Sequence, residues 1–143
     1  FNEEDKNKIK EAGKFIPVML SSNTSLGINV FIKILKNISA ELSDFDIDIV
    51  EKHHNKKIDA PSGTAKTLAG HIMEAAKKDH VDTHSLRAGT IAGEHTVIFS
   101  GVDEILEIKH TALSKKIFAR GALNLAVKLI GKPPGYYLTE DFF

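Results

Sequence analysis

Between Glu51 and Ala65 the chain reads EKHHNKKIDAPSGTA, and no other stretch of the 143 residues is so dense in groups that move protons or hold charge. His53 and His54 are adjacent imidazoles, whose ordinary pKa of about 6.5 suits proton donation, proton uptake or an orienting hydrogen bond. Lys57 adds a positive charge and a transferable proton. Pro61-Ser62-Gly63 reads as a turn feeding a helix, with Ser62 as its N-cap. Gly63 and Thr64 then fall where the first N–H groups of a helix lack intrahelical acceptors, at the positive end of its dipole. Such an end holds a carboxylate or phosphate. The stretch therefore has the chemistry to grip a small anion and exchange a proton with it. On residue types alone, a capped helix after a solvated basic loop accounts for it equally well.

The elements that must position these groups follow from periodicity. Asp46 to Val50 alternates as a strand, and continuing it to His54 sets His53 in phase with Ile47 and Ile49, and His54 in phase with Asp46 and Asp48. The two imidazoles then face opposite ways, which argues for separate tasks and against joint chelation; with no second pair at chelating spacing, no metal site is expected. After Thr64, the residues Ala65, Leu68, Ala69, Ile72, Met73 and Ala76 make one helix face, leaving His71 on the polar side at the surface.

Upstream, Glu3 to Lys14 predicts a polar helix stopped near Gly13, and Ile16 to Leu20 a short strand. The cluster Ser21-Ser22-Asn23-Thr24-Ser25 suits a helix cap first and a crevice lining second. Ser25 to Leu42 is apolar around much of its circumference, the mark of a buried helix. Downstream, Lys78 to His84 reads as a polar connection. His95 to Ser100 and Glu104 to Ala112 read as a hairpin about Gly101-Val102-Asp103, with His110 structural or at an interface. Ser114 caps a last helix, Lys115 to Ile130, whose apolar side suits the back of the sheet and which Gly131 ends. The tail carries Tyr136, Tyr137, Phe142 and Phe143 and should dock.

Lysines plus arginines equal aspartates plus glutamates at 19 each, so no polyanion such as nucleic acid is expected as partner. The absence of cysteine rules out disulfides and thiolate metal sites and fits the cytoplasm. No apolar run approaches the roughly 18 residues of a membrane span, and the charged start is no signal peptide. The first residue is Phe1, from which the chain is expected to be a piece of something longer.

The run HHNKKIDAPSGTA resembles the signature HHxxKxDAPSGTA of the 4-hydroxy-tetrahydrodipicolinate reductase (dihydrodipicolinate reductase) family, with every fixed position present. Arg87, Gly89, Gly93, Glu94 and His95 resemble that family's RxGxxxGEH segment, although Thr90 stands where an aspartate is common. Asn23, Ser25 and Gly27 keep part of its cofactor loop, which reads APN, then an aromatic or Met, then SxG; Ser21, Ser22 and Thr24 depart from it.

The resemblance implies an α+β fold: a mixed open β-sheet backed by helices, which binds substrate and builds a homotetramer, with a remnant of an N-terminal Rossmann α/β domain. Residues 1–24 would be that remnant, 25–134 the substrate and tetramerisation domain, and 135–143 a tail returning to the nucleotide-binding domain. The implied activity is reduction of 4-hydroxy-tetrahydrodipicolinate by NADH or NADPH in lysine and diaminopimelate synthesis. His53 and Lys57 would be catalytic, His54, Gly63 and Thr64 would bind substrate, and Ser21, Ser22, Asn23 and Thr24 would touch the cofactor. No GxGxxG occurs, so the chain alone is not expected to hold cofactor tightly or turn over. A non-catalytic dicarboxylate-binding or assembly module is the alternative. For Arg87, pairing with an acid is the bland reading; the roles of Arg87 and Glu94 are both open.

Overall fold

The elements of the computed structural model, in chain order, are α1 (Glu3–Ala12), β1 (Pro17–Met19), α2 (Leu26–Glu41), β2 (Asp46–His53), α3 (Gly63–Ala76), β3 (Asp82–Arg87), β4 (Glu94–Ser100), β5 (Ile105–Thr111), α4 (Lys116–Leu129), β6 (Gly135–Tyr137) and a closing 3-10 turn, Thr139–Phe142. The structure describes residues 2–142, so Phe1 and the last aromatic of the tail, Phe143, lie outside it. The chain forms two compact units, Phe1–Asn29 with Lys116–Phe143, and Val30–Lys115. From sequence, divisions are expected at 24/25 and 134/135.

The unit of the two termini begins with α1, whose N-terminus is closed by a capping box: the Asn2 side chain accepts the Asp5 N–H at 2.8 Å and the Asp5 carboxylate accepts the Asn2 N–H at 3.2 Å. The tail docks as strand β6, parallel to β1, with Val18 opposite Tyr136. Ser25 caps α2 by accepting the Ile28 N–H at 3.3 Å, so capping is what the small polar cluster does locally. The expectation for α4 changes. Its buried positions are Gly121 and Leu125, while Leu123, Val127 and Ile130 are exposed, and it clusters with the termini. The reason is Gly121: a Cβ there would lie 1.9 Å from the Thr24 carbonyl oxygen, so the missing side chain admits the 21–25 loop, which Thr24 Oγ1 fastens by donating to the Phe118 carbonyl at 2.7 Å.

The second unit is α+β. Its sheet runs β3-β2-β4-β5, with β2 and β3 parallel and the other pairs antiparallel. Ile47, Ile49, Val97 and Phe99 form the buried face of the sheet, and Leu68 and Ile72 of α3 and Phe31 and Leu35 of α2 are buried in the same unit. The expected hairpin is β4 and β5. The expected polar connection over Lys78 to His84 is corrected: Asp82–Arg87 is a strand, paired with β2 from Asp48↔Asp82 to His53↔Arg87. DTHSLR has no apolar alternation because it lies at the sheet edge. Its backbone ladder is backed by polar side chains, among them His84 Nε2 with Asp48 Oδ1 at 2.8 Å. His71, expected at the surface, is half-buried.

Candidate active site

Strand β2 sends Ile47, Ile49, Glu51 and His53 to one face in succession, so two aliphatic residues that build the core are followed by two that titrate. Glu51 is 0% exposed and His53 9%. Burial at this depth demands hydrogen bonds for a carboxylate. Glu51 Oε1 accepts from Arg87 Nη2 at 2.7 Å, Ser85 Oγ at 2.6 Å and the Ser62 N–H at 3.2 Å. Its Oε2 accepts from Arg87 Nη1 at 3.0 Å and is joined to His53 Nδ1. Burial pushes the carboxyl up, but the hydrogen bonds from Arg87, Ser85 and His53 outweigh it and hold the pKa at about 2. An ionised carboxylate only accepts, so Nδ1 carries the proton of the neutral His53 ring, leaving Nε2 as its unprotonated nitrogen.

His53 packs where the opposite strand offers no side chain: a Cβ at Gly93 would lie 3.2 Å from His53 Nε2. Beside it, 5.3 Å between ring centroids and at 76°, stands His95, which is opposite Glu51 on β4. Burial first, and then the charge of His53, lower the His95 pKa to about 4. Its Nε2 lies 3.1 Å from Ser62 Oγ, which also accepts the Ala65 N–H at 3.2 Å as the cap of α3. Ser62 therefore ties the helix start to the imidazole layer through its hydroxyl and to Glu51 through its N–H.

The loop from His54 to Pro61 is pinned at both ends. Ala88 N–H donates to the His53 carbonyl at 2.9 Å and Asn55 N–H to Gly89 at 3.1 Å, while Arg87 Nη2 donates to the Asp59 carbonyl at 2.6 Å. Lys57 closes a turn on the His54 carbonyl and pairs through Nζ with Asp59 at 2.6 Å; its side chain is 21% exposed. His54 is half-buried, and burial together with the charges of Lys115, His53, Lys57 and Arg87 lowers its pKa. Gly63 opens α3 in free space, with nothing within 4 Å of where a Cβ would stand. The strand end and the helix start thus meet at Ser62, while Arg87 ties the loop to the same Glu51 carboxylate.

Residues 27–143 match the family model described as dihydrodipicolinate reductase, C-terminus. The chain belongs to this family. It is 44% identical to a 4-hydroxy-tetrahydrodipicolinate reductase of Brachyspira hyodysenteriae over 94% of its own length and 65% of that protein's. With the same enzyme of Clostridium novyi it shares 44% over 99% of the chain and 63% of the relative. The chain thus spans somewhat under two thirds of the curated relatives it matches. A dihydrodipicolinate reductase structure from Paenisporosarcina sp. TG-14 superposes on all of it with a TM-score of 0.82 at 19% identity, covering 62% of that structure and showing the same fold.

In this reductase-family chain, His53, His54, Lys57, Gly63 and Thr64 lie on one continuous strand-loop-helix passage. Ser21, Ser22, Asn23 and Thr24 belong to the other compact unit. Arg87, whose role the sequence leaves open, pairs with Glu51. Glu94 faces the other side of the sheet, where it takes Lys52 at 2.7 Å and Lys109 at 2.8 Å, and hydrogen bonds from Lys109 and Lys52 hold its pKa at about 2. That makes it a cross-strand tie. Glu51, Ser85 and Lys115 were not read from sequence as parts of the site. The alternation that turns His53 inward turns Glu51 inward too, so that signal was present; Ser85 and Lys115 had none.

Proposed function

We propose that this chain is the substrate-binding part of an NAD(P)H-dependent 4-hydroxy-tetrahydrodipicolinate reductase of lysine and diaminopimelate synthesis. The observation that carries the reading is the buried His53 imidazole, held through Nδ1 by Glu51, with Nε2 as its unprotonated nitrogen on the side of Gly93. His53 is the proton donor or acceptor and Lys57 the second acid, while His54, Gly63 and Thr64 bind the carboxylates of the substrate. Dipicolinate, the ligand named for the Paenisporosarcina structure, is a planar dicarboxylate of the charge this passage would attract.

For the nicotinamide cofactor the chain offers only an edge. Thr24 Oγ1 is committed to Phe118, the Ser21 hydroxyl to Asn23 and Thr139, and Asn23 Oδ1 to the Ser25 N–H, so Ser22 and backbone groups are what the 21–24 loop presents. No glycine-rich pyrophosphate cradle is encoded here. When bound, the cofactor supplies hydride; the residues of this chain hold the diacid and supply the proton.

A homotetramer built through the sheet, in the cytoplasm, goes with this reading. Support for the assembly is the edge strand β5, where Ile105 and Leu106 are exposed. In the full-length gene product, His53→Gln should cut turnover by orders of magnitude with little change in cofactor affinity. Unchanged turnover would discard the assignment.

A further inference from the structure

The deepest charge in the second unit sits one step behind the imidazole. Glu51 has no exposure and cannot touch a bound diacid, yet five hydrogen bonds converge on it, from Arg87 twice, Ser85, Ser62 and His53. A carboxylate kept only to neutralise Arg87 would not need the ring. Here the geometry runs the other way: Arg87 and Ser85, both on β3, fix the two oxygens of Glu51 so that one of them meets Nδ1 of His53.

Resting on the proposed function, we infer that Glu51 is the positioning residue for proton transfer by His53: it fixes the ring as the Nδ1–H tautomer, presents Nε2 to the diacid, and stabilises the imidazolium between turnovers. The proton that Nε2 gives to the substrate leaves a neutral ring, and a proton from solvent restores the imidazolium; Glu51 stays ionised throughout and exchanges none. Arg87 extends the arrangement to the loop, because Nη2 bonds both Glu51 and the carbonyl of Asp59, the partner of Lys57. The proposed proton donor and the loop of the second acid thus hang on one guanidinium. The adjoining His95, kept neutral by burial, leaves the positive charge to the ring that has a carboxylate.

Two measurements test this. Nitrogen-15 NMR of the histidine-labelled chain reports the tautomer directly. The neutral His53 ring is expected to carry its proton on Nδ1, and an Nε2–H tautomer would overturn the inference without any substitution being made. In the full-length gene product, Glu51→Gln is expected to lower kcat by about 10²-fold or more with KM for the diacid within about threefold, because the loss is of a proton-transfer geometry and not of a binding contact. The groups about His53 are Glu51 on its own strand, Arg87 on β3, His95 on β4, and His54 and Lys57 in the loop. Asp59 is the second anion nearby and is paired to Lys57, so Glu51→Gln removes the carboxylate that faces the ring, and the alkaline limb of kcat should move to lower pH.

On a His53→Gln background, Glu51→Gln should cost little more. A Glu51→Gln protein with full kcat and an unmoved limb, beside a slow His53→Gln protein, would overturn the role of Glu51 alone. Full turnover in His53→Gln would overturn the proposed function and this role with it. Should Glu51→Gln fold poorly, the tautomer read on the unsubstituted chain decides the inference by itself.

Discussion

Replacing Arg87 by Met takes the cation away from a carboxylate that water cannot reach. Glu51 then loses two of its hydrogen bonds, at 3.0 and 2.7 Å, and the loop loses the 2.6 Å bond to the Asp59 carbonyl. Breaking one partner out of a buried pair costs about 3–5 kcal/mol. The depressed pKa of Glu51 gives a figure of the same order for Arg87, Ser85 and His53 together, net of burial: a carboxyl held at about 2, against an ordinary 4.5, represents ~3 kcal/mol of preference for the ionised form. Because that pKa is depressed, the stability it contributes is present above the unfolded value and is lost as pH falls through about 2. Without Arg87, burial pushes the carboxyl upward and the acid-side loss shrinks. Arg87→Met should therefore be about 3 kcal/mol less stable at neutral pH, with the gap to the parent chain narrowing steadily below about pH 4. Urea titrations followed on the NMR signals of β2 and β4 amides would measure both. A neutral-pH loss below about 1 kcal/mol, or a gap that does not narrow in acid, would refute the reasoning. So would a double variant, Arg87→Met with Glu51→Gln, that is no more stable than Arg87→Met, since removing both charges should return most of the loss.

Gly121→Ala places a Cβ 1.9 Å from the Thr24 carbonyl oxygen, which cannot retreat without straining the Thr24 bond to Phe118. The overpacking should exceed the roughly 1 kcal/mol gained in helix propensity and destabilise the unit of the termini by about 1–3 kcal/mol; urea titrations followed on β1 and β6 amides would show it, and an unchanged midpoint would refute the close approach. Lys57→Ala should weaken binding of pyridine-2,6-dicarboxylate to the chain by about tenfold or more by calorimetry, a difference that shrinks as salt is raised. Equal affinities at both salt concentrations would take Lys57 out of the anion site.

Much of the fold is legible because its core elements repeat with their own period. Ile47 and Ile49 announce β2, the 3.6-residue spacing of Leu68 and Ile72 announces α3, and Ser62 announces where α3 starts. Strand β3 escapes because an edge strand needs no apolar face: its pairing is a property of the backbone of β2 and of Glu51 and Asp48, which lie more than thirty residues earlier. The side on which α4 packs escapes for a related reason. Its apolar residues are spread broadly, and the choice among its faces is made by one glycine meeting one carbonyl, a steric fact that periodicity does not carry.

The site divides along the same line. Which face a residue of β2 takes follows from counting by two, and that count turns both His53 and Glu51 inward. What the count cannot supply is why a carboxylate belongs inside. That depends on Arg87 and Ser85 arriving on β3, hence on a parallel pairing in which His53 lies opposite Arg87 and Glu51 opposite Ser85. The side chains of Arg87 and Ser85 then reach the same carboxylate, and a residue that would read as an error in a hydrophobic strand becomes the anchor of its neighbour's imidazole. The tautomer of His53 is therefore decided by the register of two strands: a shift of β3 by one residue would turn Ser85 and Arg87 to the other face and leave Glu51 buried without its guanidinium. On this account the least apolar strand of the sheet is the one whose alignment the proposed chemistry tolerates least.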